Sequence, residues 1–271
     1  MKLNLPRMPR RSPASGAGHR RVLSRRALLG RVAAVGGAVG VAALPLSHVL
    51  SQAYADANNP IPARVRDALR SAQDRTRRVL AGSRSPNGWE MENVSDDGGT
   101  VYTRPVPGTP LKGVAVRMGD VETVLVHLVR RFHYEVDPLR RGDVVGWHDP
   151  AALARRRPES NLASGTAVRI RPGFYPRGVR GGFFPQQEVV IRDILAELDG
   201  VVRWGGDDRT PDESLFSVDV RPGDKRLVRV AARIRGWQLE PGAGAGSAVN
   251  VLSGGRRKAA RALERRQRSL A

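Results

Sequence analysis

Along residues 62–81 the apolar positions Val65, Leu69 and Val79 recur among many charges, which predicts a helix with one apolar side. The pattern then dissolves over 83–112 into Gly, Pro, Asp and Asn, the composition of short strands and loops. Helical spacing returns after Asp120, a residue suited to capping, through Val124, Leu125, Leu128 and Phe132. Residues 143–147 and 167–170 read as short strands, the second entered through Gly165. The clearest amphipathic helix covers 187–198, with Val189, Val190, Ile194 and Leu195 on one side and Gly200 as its stop. Strands at 201–204 and 215–220 and a helix at 224–237 complete the series. Strands and helices mix without a β-α-β rhythm, and no internal repeat interrupts them. The expected class is therefore α+β, a single domain with a mainly antiparallel sheet and packed helices.

Composition changes this picture at the two ends. The chain has 271 residues and a net charge of +20. Residues 1–55 contribute +9 and the last seventeen +6, leaving +5 for the middle, an ordinary value for a mixed surface. The basic C-terminal stretch lacks interleaved aromatic residues, so nucleic acid is an unlikely partner. There is no cysteine, which excludes disulfides, thiolate metal sites and cysteine nucleophiles. Apolar residues make up 40%, enough for a packed core in the middle of the chain.

The N-terminus has the layout of an export signal. Arg25 and Arg26 precede two leucines and an apolar run over 32–44, and Ala53 and Ala55 offer small residues at the −3 and −1 positions of a cleavage site. The arginine pair resembles a twin-arginine (Tat) signal. The apolar run is shorter than the roughly 20 residues a spanning helix needs, although retention as an uncleaved anchor is the alternative. Cleavage after Ala55 would begin the mature chain at Asp56, make the Tat machinery a partner and send the protein to the cell envelope or beyond. The expected organisation is a signal over 1–55, a helix and loop-rich segment over 56–112, a domain over 113–240, and a flexible Gly/Ala linker with a basic tail over 241–271, the tail from Arg256 to Arg268 being either solvated or a loose amphipathic helix.

Two blocks carry a family resemblance. The first is Ser160-Asn161-Leu162-Ala163-Ser164-Gly165-Thr166-Ala167-Val168-Arg169. The second is Trp204-Gly205-Gly206 followed by Asp212-Glu213-Ser214-Leu215-Phe216. Together they resemble the S-x-H-x-x-G-x-A-x-D, W-G-G and [D/E]-x-x-H-F signatures of the D-alanyl-D-alanine carboxypeptidase (VanY-type) family of zinc peptidases. The resemblance spans about Val114 to Trp237 and implies a D,D-peptidase/Hedgehog-like fold with a groove for peptidoglycan stem peptides.

The same resemblance implies that two histidines and an aspartate should hold zinc. At the matching positions stand Leu162, Arg169 and Leu215, two aliphatic chains and a permanent cation, none of which can ligate a metal. Of the catalytic set only the general base survives, as Asp212, which also reads as a turn residue after Pro211. His148 is the nearest candidate for the family's loop arginine. His127 and His133 lie six apart on one predicted helix and so face different directions. Ser160, Gly165, Ala167, Trp204 and Phe216, the residues of packing and backbone geometry, are retained. The resemblance thus implies a pseudoenzyme with no cofactor, with Arg169, His148, Ser160 and Trp204 as candidate binding residues. Arg169 calls for a counter-charge: an internal ion pair with Asp212 or Asp219, a ligand carboxylate gripped in bidentate fashion, or solvent. An active metallopeptidase with atypical ligands and a basic-tail protein adhering to anionic cell-wall polymers are the competing readings.

Overall fold

A computed structural model describes residues 63–154 and 157–269. The signal segment, with Arg25, Arg26, Ala53 and Ala55, lies outside them. Among the described residues no helix is long and apolar enough to cross a membrane. The architecture is α+β, with five α-helices among the described residues, short antiparallel sheets and intervening 3-10 turns.

Helix α1 (Ala63–Val79) leads into a hairpin of β1 (Leu80–Arg84) and β2 (Glu90–Glu92), and a second hairpin pairs β3 (Val101–Arg104) with β4 (Val114–Arg117). Helix α2 (Asp120–Glu135) is capped by Gly119, so Asp120 occupies the first helical turn and not the cap. There its carboxylate still suits the positive end of the helix dipole. Strands β5 (Val144–Val145), β6 (Ala167–Ile170), β7 (Val202–Trp204) and β8 (Leu215–Val218) form one sheet in the order β5-β6-β8-β7, antiparallel throughout. Helix α3 (Pro185–Glu197) lies between β6 and β7, and α4 (Lys225–Leu239), capped by the Asp224 carboxylate, follows β8.

Alternation along the strands sorts the sheet into two unlike faces. Val168, Ile170, Val202, Trp204, Phe216 and Val218 point into the main core, where Leu125, Leu128 and Phe132 of α2 and Ile194 and Leu195 of α3 meet them. The intervening positions, Ala167, Arg169, Leu215 and Ser217, occupy the other face, with Arg203 of β7 in register. That second face holds the candidate site.

Of the two expectations for the basic tail, a solvated stretch or a loose amphipathic helix, the structure shows a helix, and one that is packed. Residues Gly254–Arg268 form helix α5, packed along α3 with Ala260, Leu263 and Gln267 buried. Its arginines close two buried charge networks. Arg256 binds Asp193 (2.6 Å) and Glu197 (2.8 Å), which also face the fully buried Arg131 of α2. Arg268 binds Asp207 (3.0 Å), whose other partner is the buried Arg192. Gln267 donates to the Val202 carbonyl at 2.9 Å, fixing the end of α5 to the sheet. The Gly/Ala segment before α5 runs through turns, with Ala245 buried and Gly246 against the Tyr134 ring.

Candidate functional site

The polar face of the sheet is roofed by a 3-10 segment, Pro158–Ser164, that ends at Gly165 with φ +66°. A Cβ there would lie 2.7 Å from the Arg117 backbone nitrogen, so both the turn and the close approach require glycine. The turn brings Leu162 down onto Leu215 and Ala167, a small buried cluster separate from the main core and joined by Leu153. Arg169 stands directly opposite Leu215 in the β6–β8 register. The three positions where the resemblance calls for ligands thus lie together: Leu162 packed on Leu215, Arg169 beside it.

Arg169 is held by Asp212. Its Nη2 donates to Asp212 Oδ2 at 2.6 Å, while Ser214 Oγ donates to Asp212 Oδ1 at 2.5 Å. The Asp212 side chain is 4% exposed and that of Arg169 24%, so the pair is sheltered on one side and reaches solvent on the other. Gly205 sets the carboxylate's position. Its carbonyl accepts from Asp212 N at 2.9 Å, and a Cβ on Gly205 would come within 2.6 Å of the Asp212 carbonyl oxygen. With one oxygen on a guanidinium and the other on a hydroxyl, Asp212 is arranged as a counter-ion and not as a free base. Arg169 Nε is buried without a hydrogen-bond partner.

The other expected binding residues do not join this group. Trp204 is 3% exposed and belongs to the main core; its indole N–H donates to the Glu213 carbonyl and its ring packs under Arg192. Ser160 is buried, its hydroxyl donating to the Arg157 carbonyl at the start of the 3-10 segment. Both are scaffold residues, because the geometry they serve is internal. His148 is exposed, with Nδ1 accepting from the Asp149 N–H, and lines no part of the cleft described next. His133 accepts from Leu139 N, and His127 is buried against Glu197 at 3.0 Å. Zinc, which the resemblance implies, has no donors here: two alkyl chains and a guanidinium occupy the ligand positions. Among the described residues no group of three or more His, Asp or Glu side chains stands close enough to hold a metal ion.

Beside the ion pair runs an open cleft of about 410 Å³, with Asp212 and Leu215 in its wall. Its charged lining is Glu159, Asp208, Asp212 and Asp219 with Arg177 and Arg203. Arg203 binds Asp208 through Nε and Nη2 at 3.0 and 2.7 Å. Burial still raises the Asp208 carboxyl above the usual range, against the pull of Arg203. Asp219 is raised too, by desolvation within the cleft, opposed by Arg203 and Arg226. Motif matching passes over Glu159 and Asp208, and Asp219 enters the sequence reading only as a candidate counter-charge for Arg169. Glu159 directly precedes Ser160 and Asp208 lies two residues past the Trp204-Gly205-Gly206 turn, so proximity to the blocks was the available signal.

No family model matches the chain, and neither a curated protein nor a solved structure does.

Proposed function

We propose that the chain is an exported cell-envelope pseudoenzyme, built on a D,D-carboxypeptidase-like plan whose metal centre has been replaced by an internal ion pair, and that it binds peptidoglycan stem peptides without cleaving them. The observation that carries this reading is the convergence of Leu162, Arg169 and Leu215 on one face of the sheet, with the surviving acid Asp212 engaged by Arg169. Two sequence blocks 35 residues apart, Ser160–Arg169 and Trp204–Phe216, meet there through the backbone geometry of Gly165 and Gly205. Such an arrangement preserves a groove and its walls while removing the Lewis acid and the free base that amide hydrolysis of this type uses. The test is to incubate the protein with muramyl pentapeptide, following binding by calorimetry and free D-alanine by an enzymatic assay. Binding without D-alanine release is expected; release that Asp212→Asn abolishes would restore the metallopeptidase reading.

One observation favours a second reading, adhesion to anionic wall polymers. Helix α5 buries one side against α3 while Arg257, Lys258, Arg261 and Arg265 stay exposed. Positions 257, 261 and 265 follow the i, i+4 spacing and form one basic stripe. Salt-sensitive retention on teichoic-acid-bearing walls, lost when these four residues are changed to Gln, supports this role.

A further inference from the structure

The cleft has a sign of its own. In a chain of net charge +20 its lining carries four carboxylates against two guanidinium groups. Three of the four acids are accounted for unequally. Asp212 and Asp208 have arginine partners, whereas Asp219 makes no ion pair among the described residues. The decisive residue is Glu159. It is 8% exposed, yet its carboxylate has no hydrogen bond among the described residues, and the nearest cation, Arg177 Nε, stops at 4.0 Å. That distance is a loose ion pair beyond hydrogen-bond range, so the carboxylate faces the cleft with acceptor capacity that no protein donor takes up among the described residues. Two further polar side chains line the same space unengaged. Ser217, 7% exposed, has no hydrogen bond to its hydroxyl among the described residues, and Asn161, 5% exposed, uses its Oδ1 on Asn87 N but leaves its amide nitrogen free there.

We infer that this cleft is a binding site for a peptide recognised through a free primary ammonium, with Glu159 as the anchoring carboxylate and Asp219 as a second negative charge. An ammonium brings three donors and no acceptor, which suits carboxylates and a hydroxyl short of donors. A metal ion is the poorer match, since the acids are spread around the cleft and do not converge on one point. The volume falls in the range of small-ligand sites and suits two or three residues. The source of the peptide rests on the reading above: a stem peptide carries such an amine on its diamino acid, away from the terminal D-alanine that a carboxypeptidase would grip.

Calorimetry on the full chain with three probes separates the two claims. The probes are a lysine-containing muramyl tripeptide, the same compound acetylated on the lysine amine, and a plain Ala-Lys-Ala peptide blocked at both ends. The free-amine stem peptide should bind, acetylation should weaken it at least tenfold, and Glu159→Gln should cause a similar loss while leaving the acetylated probe unaffected. Asp219→Asn, at an exposed position, should weaken binding several-fold and covers the case in which the Glu159 variant does not fold. Equal binding of the free and acetylated stem peptides overturns the ammonium site and leaves the stem-peptide reading standing. Binding of the plain lysine peptide alone supports the ammonium site and overturns the stem-peptide reading. Binding of none of the three overturns both.

Discussion

Arg169 and Asp212 show how a single contact decides between neighbouring outcomes. Removing the guanidinium leaves Asp212, 4% exposed, with only the Ser214 hydroxyl as a donor. Breaking a buried pair from one side is strongly destabilising because a charge remains without compensation, and the partial exposure of Arg169 moderates that. Arg169→Ala should therefore cost about 2 kcal/mol in urea denaturation. Combining it with Asp212→Asn should cost less than the two single changes added together, because the stranded charge is gone. Strict additivity would mean that the two side chains are not coupled. That Arg169 needs a counter-charge was legible in the sequence, since a guanidinium beside two leucines has few other options. Which acid supplies it was not, because the choice between Asp212 and Asp219 depends on the β6–β8 register and on the Asp212–Gly205 contact. Trp204 and Ser160 misled for a related reason: a motif preserves scaffold and groove residues alike, and only burial tells them apart.

At the scale of elements, local pattern served well where the structure is local. Helices α2, α3 and α4 and strands β6, β7 and β8 fall within a few residues of the expected spans, because periodicity and stop signals act over one or two turns. An amphipathic helix at α5 is one of the two local expectations, but its docking is not legible, because its partners Asp193, Glu197 and Asp207 lie some sixty residues away and no local charge pattern reports them. Two predictions test its docking. Leu263→Ala, at 7% exposure against the α3–β7 turn, should cost about 2–3 kcal/mol in denaturation. A change near zero would mean that the helix is not part of the cooperative unit. The second uses Glu197. Burial would raise its carboxyl, but the hydrogen bond from His127 and the charges of Arg131 and Arg256 outweigh that and bring it down to about 2. A carboxyl depressed in the folded state stabilises fully above its unfolded pKa, and the contribution disappears as pH falls from there through about 2. The shift corresponds to about 3 kcal/mol. Glu197→Gln should thus be less stable than the native chain at pH 6, with the difference in melting temperature narrowing steadily below about pH 4.5. A difference independent of pH would show that the carboxylate charge is not what ties α2, α3 and α5 together.

For the whole molecule, charge and chemistry separate by region: a basic N-terminal segment, a sheet with one apolar and one polar face, and a basic outer stripe on α5. The N-terminal segment carries the export expectation. Replacing Arg25 and Arg26 by Lys keeps the charge and loses the guanidinium pair, and it should block secretion if the route is the twin-arginine one. Undiminished secretion of the Lys–Lys variant, starting at Asp56, would point to the general secretory route. The folded part carries the pseudoenzyme reading, which holds that the plan of a metal site persists where its donors do not. Zinc titration of the unmodified protein beside the variant carrying Leu162→His, Arg169→Asp and Leu215→His addresses that claim most directly. The account predicts no tight zinc in the former and one equivalent in the latter, since the three positions already lie together on the sheet's polar face. One equivalent of tightly held zinc in the unmodified protein would contradict it.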